Sequence, residues 1–277
     1  MRVFVLFTIY KKEGFVARKI VITSGKGGVG KTTVTANLGI FLSSFGLRVV
    51  MIDVDFGLNN LDVVMGVENK IVYDVFDVIS GRCRAKQALV QDNDRKNLFV
   101  LPSCGLNGSS PVSGQQLKLI VESLSPIFDY VLIDCPAGID AGFHRAVACA
   151  EEALVVATPT LTSLRDADKT VTVLKSYKLD KIGLVVNRVR GDLIMSEKTL
   201  LPRDIEELLK TDLAGVIPEE DSVFLSGGAY LPKNSDAYKA YKMLAANVHK
   251  NAGKIFDPTK KYSGFFGSIR RRIKRSV

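Results

Sequence analysis

Short apolar runs alternate with helix-spaced segments along nearly the whole chain. Residues 19–23, 47–55, 97–102, 130–134, 153–158, 182–187 and 213–217 read as strands, and several are apolar at almost every position, as strands covered on both faces are. Between them, residues 34–45, 72–80, 114–124, 141–150, 163–177, 204–210 and 237–250 repeat apolar positions at helical spacing. Residues 56–69 read as a loop. The alternation predicts an α/β fold, with a doubly wound, mostly parallel sheet and helices on both faces. In such sheets ligands collect beyond the carboxyl ends of the strands.

One of those ends carries Gly25-Lys26-Gly27-Gly28-Val29-Gly30-Lys31-Thr32-Thr33, between the first strand and the first helix. Four glycines let the backbone wrap closely around phosphate oxygens, and the helix N-terminus adds about half a positive charge. Lys31 is placed to reach the β- and γ-phosphates of a nucleotide, and the Thr32 hydroxyl to coordinate Mg²⁺. Other strand ends supply Asp53, Asp55, Asp134 and Asn187. A nucleoside triphosphate with Mg²⁺ needs carboxylates near the metal and a group that orients the attacking water. Asp53 and Asp55, two apart, would point to the same side of the sheet, and Asp134 suits the metal. Lys26 is a second lysine that an ordinary phosphate loop does not require.

Composition adds limits. A chain of 277 residues with 47% hydrophobic content buries one large α/β core. Cys83, Cys104, Cys135 and Cys149 are scattered without a C-x-x-C pair, and only two histidines occur, which argues against structural zinc and a disulfide framework and for a reducing compartment. The chain carries 38 basic and 29 acidic side chains, and seven of the basic ones lie in residues 260–277, where there is no acid. The rest is near neutral, which points away from a nucleic-acid-binding face and toward a tethered basic element. On a helix at about 100° per residue, Tyr262, Phe265, Phe266, Ile269, Ile273 and Val277 fall on one side and Arg270, Arg271, Arg272, Lys274 and Arg275 on the other. Such a helix lies in the interface of an anionic membrane. At the other end, residues 1–10 are mostly apolar but too short to span a bilayer, and read as a short strand, a loose extension or a degenerate targeting segment. The expected organisation is therefore an extension at 1–17, a nucleotide-binding domain at 18–253, and a linker with a membrane-targeting helix at 254–277.

With Lys26 in place, the loop resembles the deviant phosphate loop of the MinD/ParA class of P-loop ATPases. Asp53-Val54-Asp55-Phe56-Gly57-Leu58-Asn59-Asn60-Leu61-Asp62, Asp134-Cys135-Pro136-Ala137-Gly138-Ile139, Ser163-Leu164-Arg165-Asp166-Ala167-Asp168 and Gly215-Val216-Ile217-Pro218-Glu219-Glu220 are similar to segments of the MinD branch, in order, over residues 18–277. The resemblance implies an ATP-dependent homodimer in which Lys26 reaches the partner subunit's nucleotide, in the manner of an arginine finger. Asp55 would orient the water, Asp53 and Asp134 would hold Mg²⁺ through waters, and Asn187 and Pro218 would lie near the adenine. Asn60 and Asp166 match positions near the dimer or partner surface. A MinC-type division inhibitor, a MinE-type activator and a location on the inner face of the cell membrane, or of a plastid's inner envelope, are implied in the same way. The same loop also serves ParA-type DNA-partitioning ATPases and, with paired cysteines, a nitrogenase-reductase-like iron–sulfur protein. The near-neutral body of the chain argues against the first and the lack of a companion for Cys104 against the second.

Overall fold

The computed structural model describes residues 16–57, 60–103 and 112–263. Its strands are β1 (Arg18–Thr23), β2 (Val49–Asp53), β3 (Val90–Gln91), β4 (Leu98–Leu101), β5 (Tyr130–Asp134), β6 (Glu152–Ala157), β7 (Lys181–Val189) and β8 (Leu213–Pro218). They form one sheet in the order β3-β4-β2-β5-β1-β6-β7-β8, parallel throughout except for the β3–β4 edge pair. The helices are α1 (Lys31–Ser44), α2 (Leu61–Met65), α3 (Val75–Ile79), α4 (Gly114–Leu124), α5 (Ala141–Val147), α6 (Leu161–Leu174), α7 (Gly191–Ile194), α8 (Pro202–Leu209), α9 (Asp221–Leu225) and α10 (Asp236–Lys250).

Successive strand residues face opposite sides, so each strand feeds two cores. Val21, Val131 and Ile133 join α3, α4, α5, α6 and α8 on one face. Ile20, Ile22 and Leu132 join α1, α2 and α10 on the other. The doubly wound architecture is the expected one, and β1 sits near its centre between β5 and β6.

Three local expectations are corrected. The loop expected at 56–69 contains α2 and a 3-10 turn at Glu68–Lys70, both too short for their period to register in sequence. Gly66, at φ 62°, closes α2. The helix expected from residue 72 begins at Val75, because Asp74 and Asp77 form a reciprocal capping box that fixes the start. Tyr262, expected on the apolar side of the tail helix, is buried in a 3-10 turn, Lys260–Tyr262, with its ring beside Gly191.

The segment from 254 onward is packed rather than free up to that turn. Asn247 binds the backbone of Lys254 in both directions, at 2.9 and 3.1 Å, and Lys261 pairs with Asp236 at 3.1 Å. The expected membrane residues Phe265, Phe266, Ile269, Arg270, Arg271, Arg272, Ile273, Lys274 and Arg275 lie outside the described residues, as do residues 1–15 and Cys104. No helix among the described residues is long and apolar enough to cross a membrane.

Candidate functional site

β1 runs into the glycine loop and the loop into α1, whose N-cap is Gly30 at φ 95°. No side chain caps this helix and no acid lies in its first turn, so its leading N–H groups are left for an anion. Two glycines are required by close approach. A Cβ at Gly25 would overlap the carbonyl of Asp166 on α6, and one at Gly30 would overlap the side-chain amide of Asn187. Asn187, near the end of β7, donates to the Val29 carbonyl at 2.8 Å and thereby ties the sheet to the loop's interior. Ser24 donates to the Lys26 carbonyl at 2.8 Å from the loop's other end.

The two lysines are placed differently. Lys31 is buried at the start of α1, while Lys26 is exposed at the loop's outer edge. One is therefore internal to the site and the other available beyond it.

Asp53 and Asp134 are register partners on β2 and β5, and both are buried. Thr35 donates to Asp134 Oδ1 at 2.9 Å, and the Thr32 hydroxyl hydrogen bonds to the same carboxylate. Burial pushes Asp134 up to about 6; the two threonine hydroxyls and Lys31 oppose the rise and Asp55 adds to it. Asp53 is raised well above the usual range, first by burial and then by Asp134, although the amides of Asp55 (2.9 Å) and Leu61 (3.3 Å) bind its oxygens. Asp55 is half-buried just beyond them.

Two buried carboxylates and a hydroxyl make a hard-oxygen donor set of the kind Mg²⁺ takes. Mg²⁺ held by so few protein oxygens would complete its coordination with phosphate oxygens and water. Thr32, Asp53 and Asp134 are the residues that would hold it, and its charge would offset that of the phosphates.

Beside the loop opens a cleft of about 760 Å³, bordered by Gly30, Thr33, Asn187, Pro218, Asp221 and Phe224. Its size suits a nucleoside. The placement brings Gly30, Thr33, Asn187 and Pro218 to one cleft, with Gly27, Gly28 and Lys26 in the loop alongside.

Several contributors were not anticipated. Arg188 adopts φ 55° where the β7–β8 register shifts, and also lines the cleft. Thr35 holds Asp134, and Asn37 bridges the Thr33 and Gly228 carbonyls at 2.8 and 2.6 Å. A buried Thr and Asn within an otherwise apolar stretch of α1 were the available signal. Nothing in the local sequence marks the conformation of Arg188.

Residues 20–229 match the model of the CobQ/CobB/MinD/ParA nucleotide-binding domain. A septum site-determining MinD from Synechocystis is 40% identical over 261 residues, covering 92% of this chain and 98% of that protein. The chain belongs to the MinD family. Among solved structures, MinD in the MinC:MinD cell division complex of Aquifex aeolicus is 38% identical, with a TM-score of 0.77, over 84% of this chain and 95% of that one. MinD of Pyrococcus horikoshii, solved with Mg-ADP, is 32% identical with a TM-score of 0.74, over 86% and 98%. The architecture, with β1 central and β8 at the edge, is thus the MinD fold, and the glycine loop lies within the matched nucleotide-binding domain.

Proposed function

We propose that this MinD-family ATPase, acting on ATP with Mg²⁺, is a membrane switch counted in subunits. It dimerises when ATP is bound, the paired tails hold an anionic membrane, and the dimer recruits a MinC-type inhibitor that restrains division there. A MinE-type activator stimulates hydrolysis and returns the protein to solution. Its place is the inner face of the cell membrane or of a plastid's inner envelope. The observation that carries this reading is the pair of lysines in one loop, Lys31 buried and Lys26 exposed.

Within one subunit, the amides at the start of α1 and the Lys31 ammonium neutralise the β- and γ-phosphates, and Thr32, Asp53 and Asp134 set the metal side of the site. Asp55 orients the attacking water in line with the γ-phosphate. Lys26, reaching across from the other subunit, stabilises charge that grows in the transition state, so turnover waits for assembly. One tail holds the membrane weakly, and two on a dimer raise avidity by about 10² or more.

The test is co-sedimentation with anionic vesicles, comparing the full chain with a form ending at Ser263, each with ATP and with ADP. Ser263 is the proper end because Tyr262 belongs to the packed domain. Binding by the full chain with ATP alone is expected. Equal binding in all four conditions rejects the reading, and ATP-dependent DNA binding by the shortened form would favour a partitioning ATPase instead.

A further inference from the structure

The first described residues are fastened to the end of α4. The Ala17 amide donates to the Ser125 carbonyl at 3.3 Å and to its hydroxyl at 3.2 Å. Ala17 is itself buried in the core that holds Leu117, Ile120, Val121 and Leu124 of α4. Val16, one residue earlier, is 61% exposed. Residues 1–15 therefore join the domain at the C-terminal end of α4.

Close to that junction, α3 and α4 leave an open groove of about 520 Å³. Val78, Ile79, Leu119 and Ile120 give it an apolar wall, with Arg84 and Lys86 at the rim. Leu119 stands 56% exposed in it, whereas Leu117 and Ile120 on the same helix are buried. The nucleotide site does not use this face, and the start of the chain carries the apolar residues Val3, Phe4, Val5, Leu6, Phe7 and Ile9.

We propose that residues 1–15 dock in the groove between α3 and α4, covering Leu119 and Ile79. Fifteen residues reach up to about 50 Å when extended, and α4 is about 16 Å long, so the groove lies well within the tether. A tethered segment also acts at an effective concentration near the millimolar range, which favours it over a second copy or a separate partner. The recessed shape suits inserted side chains better than a flat lipid surface does. The extension would then be part of the folded domain's surface, independent of nucleotide.

Hydrogen exchange read by mass spectrometry tests this on the full chain, without nucleotide or lipid, beside a synthetic peptide of residues 1–15. Amides of the segment should exchange at least about tenfold more slowly than in the peptide. Leu119→Asp should return them to the peptide rate, Leu119→Ile should keep them slow, and neither should change basal ATP hydrolysis. Peptide-like exchange in the parent chain overturns the proposal, as does protection that survives Leu119→Asp. Protection that grows with protein concentration would assign the groove to a second copy, and protection seen only with vesicles would assign the segment to lipid; either also overturns it.

Discussion

Asp53 and Asp134 end neighbouring strands in register with both carboxylates buried; burial raises the proton affinity of each, and Asp134 adds to the rise at Asp53. Asp134, pushed up to about 6, gives a signed expectation. Above that pH both folded and unfolded chains are ionised there and the fold bears the full cost of the buried charge. As pH falls from about 6 toward about 4, the folded state takes up the proton first, so this group's contribution to the stability of the nucleotide-free protein increases. Asp134→Asn should remove that trend, raise the melting temperature of the nucleotide-free protein near pH 7 by a few degrees (about 1–3 kcal/mol), and abolish Mg²⁺-dependent turnover. Melting curves of parent and variant across pH decide it. A lower melting temperature for the variant contradicts the account.

The two lysines should separate binding from assembly. Lys31→Ala is expected to weaken ATP binding by about tenfold or more, since it removes a charge-assisted contact inside the site. Lys26→Ala should bind nucleotide within about threefold of the parent yet fail to dimerise or hydrolyse. Asp55→Ala should retain ATP without turning over. Size-exclusion chromatography and phosphate release measure these, and full stimulated hydrolysis by Lys26→Ala would remove the role assigned in trans.

Asn187 is expected to act through the loop it holds. Losing its 2.8 Å bond to Val29 leaves a buried carbonyl unpaired at about 1–3 kcal/mol. Part of that should appear as a rise in the ADP dissociation constant of about tenfold in Asn187→Ala, measured by calorimetry. An unchanged constant would reduce the residue to a structural tie.

Two glycines in the same loop should respond unequally. Gly25→Ala drives a methyl into the Asp166 carbonyl and should cost more than about 2 kcal/mol. Gly28, at φ 76°, has open space around it, so Gly28→Ala meets only the backbone cost of about 1–2 kcal/mol. Chemical denaturation ranks the two, and the reverse order would mean that α6 yields freely to the loop.

The strands that bear the site were legible because β2 and β5 are apolar up to a terminal aspartate and β1 carries an apolar run, Ile20 to Ile22, before Thr23. The phosphate loop was legible because its chemistry is contiguous. The two-residue β3 and five-residue α2 were not, since neither is long enough to establish a period. Thr35 and Arg188 were missed for another reason: their value depends on partners about a hundred residues away or on a local break in strand pairing. Lys26 stood out as an extra lysine in the loop, but its role came only by likeness to a family, since its proposed ligand belongs to another molecule.

The central position of β1 also bears on how the protein is made. Arg18 pairs with Tyr130 and Ile20 with Glu152, so the first strand of the sheet has no neighbours until β5 and β6 have been synthesised. During translation an apolar strand waits, unpaired, through more than a hundred residues, a delay that slows folding and exposes a sticky edge. The glycine loop at its end, first to leave the ribosome among the site's parts, is among the last to be fixed in place. A ribosome-bound chain stopped before β6 should accordingly hold no nucleotide.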